Sequence, residues 1–361
     1  MKRAICVAVA ALGLVGWVDP KTAAPTVSQD ALKAEEKRQL AFVISSRWKE
    51  SERVNAVAFR LALANQDLCA DRKRRTGMDV FVLTDFPQRY REAAVEVLKV
   101  GPELTITEVV PASPAAKAGL RRGDALVSLN GAPVPTGAKA REGFIKQLAS
   151  ALEKPGPVTL AVRREGAVQE LTVEPVSVCA YDAVVEDSDV INAFADGERI
   201  HITRGILRFA ADEEELALIV AHEMAHNGQH HMQAQARNSI MVGLGGLLLD
   251  GVAAAYGVNT QGVFAKTGAR IGAEHASPEF EAEADYVGMY YLARAGYPTE
   301  GVENLWRRMA VETPGAVFIK TDHPVTPERF LAIAATAREI EAKRVKGEPL
   351  VPNMAADSKA H

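Results

Sequence analysis

Apolar residues recur at helical spacing in the first well-patterned part of the chain, over residues 28–64. The members of this pattern are Leu40, Val43, Ile44, Trp48, Val54, Val57, Ala58 and Leu61. Spacings of three and four residues place side chains on one face of a helix, so the pattern predicts one or two amphipathic α-helices. A short apolar run from Met78 to Leu83 follows and predicts a strand, because Asp85-Phe86-Pro87 interrupts it.

The pattern changes near Gly101, where apolar and polar residues begin to alternate. Residues 104–110 alternate in this way, which is typical of a strand with one buried face. Residues 140–152 have a helical pattern, and residues 158–173 predict a β-hairpin around Glu165-Gly166. This part of the chain is therefore expected to be rich in β-structure with one helix.

From Cys179 onward the pattern is mainly helical again, with one strand predicted at residues 199–203. The polar C-terminal residues are expected to fray. The β-rich part therefore interrupts a helical domain. We predict five segments: a signal peptide or anchor (1–24), an N-terminal helical part of the main domain (25–95), the β-rich domain (96–177), the main domain (178–346) and a flexible tail (347–361).

The β-rich domain resembles a PDZ domain of the bacterial protease type. Residues 113–120 read Ser-Pro-Ala-Ala-Lys-Ala-Gly-Leu, and Gly123-Asp124 and Asn130-Gly131 follow in register. PDZ domains bind extended peptides by adding a strand to a sheet edge. The loop expected to hold a peptide carboxylate, residues 100–103, reads Val-Gly-Pro-Glu and departs from the usual Gly-apolar-Gly-apolar pattern. Peptide binding and a spacer role both stay open.

The strongest chemical signal is His222-Glu223-Met224-Ala225-His226, inside a helical pattern that begins near Asp212. Residues four apart share a helix face, so both imidazoles can approach one metal ion. Glu223 then flanks the open coordination position, where it can take a proton from a water molecule. The alternative is a buried helix whose histidines are surface residues. His230 and His231 lie beyond the motif and are expected to face solvent.

The third metal ligand is expected from a second, acidic helix that starts at Ser277-Pro278. Glu281 and Asp285 are four apart and share a face, whereas Glu283 points away. Glu281 can bind zinc, and Asp285 can accept a hydrogen bond from the far nitrogen of a ligating histidine. Acidic residues in a first turn are also an ordinary helix feature, and only together with the histidine motif do they favour a metal site.

Together these motifs resemble the gluzincin metallopeptidase family that includes the HtpX, CAAX-prenyl, OMA-type and BepA proteases. The family pattern is His-Glu-x-x-His followed by Glu-x-x-x-Asp, and residues 192–205 and 323–329 match its flanking elements. The resemblance covers roughly residues 180–335. It implies a zinc-dependent endopeptidase with one Zn²⁺ per chain, held by His222, His226 and Glu281.

The same resemblance implies roles for residues outside the metal-binding motifs. It places substrate backbone against an edge strand formed by Ile200, His201, Ile202 and Thr203, consistent with strand addition. It also places His323 near the metal, where the residue either gates the site as an extra ligand or stabilises an oxyanion. Arg329 is its expected orienting partner. A loop histidine that only packs is the alternative for His323.

Composition and charge narrow the class of protein. The chain has 361 residues, 48% of them hydrophobic, and a net charge of −4, so we expect about two folded domains. Because no long basic tract is present, we expect no nucleic-acid partner. Residues 240–256 are largely apolar, but the uninterrupted run is too short to span a bilayer. They are expected to form either a buried helix or a loop between the two metal-binding helices that touches the membrane peripherally or gates substrate.

The N-terminal residues are typical of an export signal. Met1-Lys2-Arg3 is basic, and residues 4–18 form an apolar run of the length found in signal peptides. We therefore expect an exported, periplasmic protein, either soluble or held to a membrane by an uncleaved segment. Export would leave Cys69 and Cys179 as a pair in an oxidising compartment, where they form either a disulfide or two buried thiols.

The predicted fold class is α+β: a mainly helical gluzincin domain with a small edge sheet, plus an inserted β-rich PDZ domain. The predicted function is cleavage of protein or peptide substrates, such as misfolded or unassembled envelope proteins, with Glu223 as general base. The alternative is an envelope chaperone or scaffold, non-catalytic or autoinhibited, that retains the zinc site.

Overall fold

The structure is a computed structural model that describes residues 25–237, 277–312 and 326–354, together with Leu247, Asp250 and Lys266. The α-helices with both ends in these residues are α1 (Gln29–Ala64), α2 (Arg91–Leu98), α3 (Pro114–Lys117), α4 (Ala140–Leu152), α5 (Arg204–Phe209), α6 (Glu213–Gly228), α7 (Pro278–Arg294), α8 (Asn304–Glu312) and α9 (Pro327–Lys346), and residues 231–237 are also helical. The strands are β1 (Arg72–Arg75), β2 (Met78–Phe81), β3 (Thr105–Val109), β4 (Ala125–Leu129), β5 (Ala132–Pro133), β6 (Val158–Arg164), β7 (Ala167–Val173), β8 (Val176–Cys179), β9 (Asp182–Glu186), β10 (Ala193–Ala195) and β11 (Arg199–Thr203). The predicted α+β class is confirmed.

The long helix α1 packs its C-terminal half into the core of the main domain. Ser28 caps its first turn by accepting a hydrogen bond from the backbone N–H of Ala31. The C-terminal half of the helix is buried, with Val54, Val57 and Leu61 in the large hydrophobic core that also contains α6 and α7. The pattern at residues 28–64 thus forms one continuous helix rather than two.

The PDZ-like domain is built on a second hydrophobic core and a six-stranded sheet. Its strands follow the order β2-β3-β4-β6-β7, and β5 pairs with β4. Ile106, Leu160 and Phe144 pack between this sheet and α4. The sheet includes β2, so it begins about twenty residues before the predicted boundary at residue 96. Local patterning shows β2 as a strand, but only pairing with β3 assigns it to this domain.

The loop at residues 100–103 leads into β3, which lies between β2 and β4. A peptide cannot add a strand beside β3, so the expected position of a carboxylate-binding loop, at residues 100–103, is wrong. Among the strands that the structure describes, β2 forms the edge of the sheet on this side. A peptide-binding loop would instead precede β2.

A three-stranded sheet with the order β10-β11-β9 lies beside α6. β11 pairs antiparallel with β10, with Phe194 opposite His201, and parallel with β9, with Val184 opposite His201. The prediction that residues 200–203 form an edge strand is therefore wrong, because β11 is the central strand. β9 precedes β10 and β11 in the chain and pairs in parallel with β11. Nothing in the pattern of hydrophobic residues in either strand indicates this pairing.

The PDZ-like domain joins the main domain through two antiparallel strands and a disulfide. β1 pairs with β8, with Arg72 opposite Cys179. Cys69 and Cys179 form a disulfide across the same junction, with 5.5 Å between their Cα atoms and 110 residues between them in sequence. The inserted domain is thus enclosed between two cross-linked chain positions.

The two helices that carry the candidate metal ligands pack against each other very closely. Gly288 of α7 lies against α6, and a Cβ at this position would be 3.2 Å from the Cα of His222. Only glycine allows this approach without displacing a helix. In the residues that the structure describes, no helix has both the length and the apolar character to cross a membrane.

Several sequence predictions concern segments outside the described residues. These are the signal peptide or anchor at 1–24, the role of His323, most of the apolar segment 240–256 and the final residues of the tail.

Candidate metal centre

Helix α6 brings the histidine motif into the protein interior. Asp212 caps the helix by accepting a hydrogen bond from the N–H of Glu215, at 2.9 Å. From Leu216 onward the helix is buried on all sides, so His222 is only 1% exposed and His226 only 4%. The alternative that these histidines are surface residues is therefore wrong.

Three donor atoms from α6 and α7 converge. The Nε2 atoms of His222 and His226 are 3.2 Å apart. Glu281 places one carboxylate oxygen 3.2 Å from Nε2 of His226 and the other 3.4 Å from Nε2 of His222. Two imidazole nitrogens and a carboxylate oxygen form the donor set of many catalytic zinc sites. Donors about 2.0–2.1 Å from a tetrahedral ion are about 3.3 Å apart, so the observed spacing fits zinc.

Asp285 and Arg329 support the outer side of His222. Oδ1 of Asp285 is 3.0 Å from Nδ1 of His222. Arg329, near the start of α9, donates to Asp285 from Nε at 2.6 Å and from Nη2 at 2.8 Å. Its guanidinium also lies 4.1 Å above the ring of Trp306. Arg329 thus pairs with Asp285 and also lies 3.8 Å from a carboxylate oxygen of Glu281, whereas its predicted pairing with His323 lies outside the described residues.

The charges in this cluster stabilise one another. Burial opposes protonation of His222, but hydrogen bonds to Asp285 and Glu281 outweigh it and raise the pKa of the imidazole to about 10. Burial acts to raise the pKa of Asp285, but Arg329 and His222 reverse the effect and lower it. Because a metal ion binds neutral imidazole, any metal held by His222 would displace a proton from its ring.

His231 is a further member of the cluster that sequence reasoning placed in solvent. It is 1% exposed, and its Nδ1 is 3.0 Å from Nδ1 of His226. Its Nε2 is 3.0 Å from a carboxylate oxygen of Glu283. The prediction failed because the helix does not continue: α6 ends at Gly228, and His230 has a φ of 57°. The side chain of His230 is 43% exposed, as expected.

Trp306 of α8 was also not predicted from the sequence as a neighbour of the metal ligands. Its ring lies 5.6 Å from that of His222 in an edge-to-face arrangement. A lone tryptophan in an amphipathic helix gives no signal of such a contact. No C-cap glycine indicated the turn before His231, because Gly228 is still part of α6 and the residue with positive φ is His230.

Comparison with known families agrees with this architecture. Residues 166–337 match the model of Peptidase family M48, and residues 83–174 match that of the PDZ domain. The chain therefore combines a peptidase family M48 domain with a PDZ domain, as the motifs predicted.

Individual relatives match over part of their length. The mitochondrial metalloendopeptidase OMA1 of Saccharomyces cerevisiae is 31% identical over 120 residues, which cover 33% of this chain and 33% of that protein. A putative beta-barrel assembly-enhancing protease of Vibrio cholerae is 34% identical over 161 residues, which cover 41% of this chain and 33% of that protein. The chain thus spans about a third of the length of these two relatives. A solved HtrA3 PDZ domain bound to a phage-derived ligand is 24% identical, covering 30% of this chain and 88% of that one, with a TM-score of 0.22.

Proposed function

We propose that this protein is a zinc-dependent endopeptidase. The observation that carries the proposal is the convergence of His222, His226 and Glu281 within the protein interior. Glu223 follows His222 on the same buried helix. A buried cluster of two imidazoles and one carboxylate, with a second carboxylate beside it, has few purposes other than binding a metal and moving a proton.

In this proposal His222, His226 and Glu281 hold one Zn²⁺. When bound, zinc supplies Lewis acidity, which polarises the scissile carbonyl and makes a water molecule easier to deprotonate. Glu223 accepts the proton of the attacking water and later delivers it to the leaving amine. Asp285 keeps the proton of His222 on Nδ1 so that Nε2 faces the metal, and Arg329 keeps Asp285 ionised.

The role of His323 belongs to the same proposal. In this proposal His323 acts at the metal site, either as a gating ligand or as a donor to the oxyanion, as the family resemblance implies. Replacing His323 with Ala would change peptide turnover in either case. Turnover equal to that of the unmodified protein would rule out both roles.

We further propose that the substrates are proteins of the bacterial envelope, including misfolded or unassembled ones. The export-type sequence at residues 1–24 supports this, together with relatives named as beta-barrel assembly-enhancing proteases. The PDZ domain would add an extended peptide beside β2. A cavity of about 650 Å³ lies between β1 and α4, lined by Ile145, Leu148 and Leu152 and by the basic residues 72–74, and it offers further space for a peptide side chain.

The decisive experiment measures zinc content and the cleavage of casein by the full chain. Glu223→Gln is the test variant, and Glu214→Gln is a matched control on the same helix, outside the metal cluster. We expect one zinc in all three proteins and cleavage in all except Glu223→Gln. A protein that binds no zinc contradicts the proposal. A zinc-loaded protein that cleaves nothing favours the chaperone alternative.

A further inference from the structure

We propose that His231 and Glu283 are positioning residues that fix the ring of His226 for metal binding. This inference rests on the proposed zinc site, but it concerns a side of that site that the two sequence motifs do not include. Neither residue is a metal donor in this arrangement. His231 acts on the metal through His226, and Glu283 acts through His231.

The hydrogen-bond geometry determines which nitrogen of each ring carries a proton. Nε2 of His226 faces Glu281 and must present a lone pair to the metal, so the proton of this ring lies on Nδ1. The 3.0 Å contact between the two Nδ1 atoms then requires His226 to donate and His231 to accept. His231 therefore has its own proton on Nε2, which it donates to Glu283 at 3.0 Å.

Packing holds His231 in the orientation that this chain of hydrogen bonds needs. Its ring stacks on Phe280 with 4.5 Å between centroids and 8° between planes. It meets the ring of His226 edge-on, at 82°. Phe280 and Glu283 both belong to α7, which also carries Glu281. One helix thus supplies a metal ligand and the support for a second ligand.

The backbone before His231 indicates that its position is specifically built. His230 adopts a φ of 57°, which is unfavourable for a residue with a side chain. This residue redirects the chain after α6, and residues 231–237 are again helical. Residues in such sparsely populated backbone regions cluster at functional sites, and here the turn brings His231 against His226.

The two ligating histidines are therefore supported in different ways. His222 is held directly by the Asp285 carboxylate, with Arg329 behind it. His226 is held by an imidazole, with Glu283 behind it, and the side chain of Glu283 is 50% exposed. Without His231, the Nδ1–H of His226 would lose a hydrogen bond within the protein interior, and the ring could turn away from the metal.

The test measures the zinc dissociation constant of the full chain by competition with a chelating indicator. His231→Phe retains an aromatic ring against Phe280 but removes both hydrogen bonds. We expect zinc to bind roughly 10- to 100-fold more weakly, which is the usual effect of losing such a partner. His231→Asn retains an acceptor and should recover part of the loss. His230→Asn is the matched control, since asparagine tolerates positive φ and residue 230 is half-exposed.

A second measurement separates positioning from general damage to the fold. The visible absorption spectrum of the cobalt-substituted protein reports the geometry of the ligands. It should change in His231→Phe and stay unchanged in His230→Asn. The spectrum of Glu283→Gln should change less than that of His231→Phe, because a glutamine oxygen still accepts the hydrogen bond of His231.

The outcomes distinguish this inference from the proposed function. An unmodified protein that binds no zinc would overturn the proposed function. An unmodified protein that binds one zinc, with His231→Phe equally tight and spectrally identical, would overturn the positioning role alone. Weaker binding and a changed spectrum in His231→Phe, with a normal His230→Asn, would establish it.

Discussion

At the scale of single residues, the contact between Asp285 and His222 is the one whose loss has the clearest consequence. Asp285 accepts a hydrogen bond from Nδ1 of His222 and is buried with Arg329. Asp285→Asn retains the shape but removes the charge, and it allows the amide to donate to Nδ1. That tautomer would place the imidazole proton on Nε2, where the metal should bind. We expect zinc affinity to fall roughly 10- to 100-fold.

The comparison for this prediction is Asp189→Asn, the same change at an exposed ion pair with Arg208. Zinc retained after dialysis against a weak chelator measures both variants. Equal retention in Asp285→Asn and Asp189→Asn would show that His222 does not depend on Asp285.

Helical spacing predicted which residues of each motif share a face, and the combination of the two motifs, with the family resemblance, joined them into one site. His222 and His226, and likewise Glu281 and Asp285, are four residues apart, so each pair had to share a helix face. His231 could not be predicted in this way because the helix ends before it. Arg329 was expected near His323, but its contact with Asp285 joins residues 44 apart in sequence, and local pattern carries no information about that distance.

At the scale of secondary structure, the close packing of α6 and α7 sets the distance between the histidines and Glu281. A methyl group at Gly288 would lie 3.2 Å from the Cα and backbone N of His222, which is tighter than ordinary contact. We expect Gly288→Ala to force the helices apart by a few tenths of an ångström and to weaken zinc binding. Gly288→Val should weaken it further.

The graded series provides its own control, since each step adds volume at one point of contact. Zinc affinity and the midpoint of thermal unfolding of the metal-free protein should fall together from Gly to Ala to Val. Affinity that stays constant across the series would show that the spacing of these helices does not limit the site.

Elements whose signals are local were predicted well. The pattern at residues 140–152 forms α4 with the same bounds, and the hairpin at 158–173 turns at Glu165-Gly166. The error over β11 has a different origin. Strand pairing depends on contacts between distant segments, and a buried strand shows the same pattern whether it has one neighbour or two.

At the scale of the whole molecule, the disulfide encloses the inserted domain. Cys69 lies before β1, Cys179 ends β8, and the PDZ domain lies between them. The sequence alone left a bridge and two free thiols equally open. We expect a thiol-alkylating reagent to leave both cysteines unlabelled in denatured, unreduced protein and to label both after reduction. Labelling before reduction, located by peptide mass spectrometry, would contradict the bridge.

The contact between the PDZ domain and α1 contains a carboxyl group that makes the junction sensitive to pH. Glu108 of β3 accepts a hydrogen bond from Asn55 of α1 at 2.8 Å. Burial raises the pKa of Glu108 from 4.5 to about 7, despite the opposing effect of Asn55, and Asp79 adds to the rise. The folded protein therefore binds a proton here at pH values where the unfolded chain has lost it.

The sign of the pH effect follows from that difference. Protonated Glu108 contributes its full stability below about pH 4.5, and this contribution is lost as the pH rises through about 7. Glu108→Gln resembles the protonated form and removes the dependence. The free energy of unfolding of the variant should therefore exceed that of the unmodified protein increasingly from pH 5 to pH 8, by at most about 3 kcal/mol.

Urea unfolding at a series of pH values measures this difference. Glu103→Gln is the control, because Glu103 belongs to the same domain but is exposed in an ion pair with Arg163. A difference between Glu108→Gln and the unmodified protein that is constant with pH would mean that Glu108 is already ionised in the folded state. A difference that grows with pH would show that the junction between the two domains weakens as this carboxyl loses its proton.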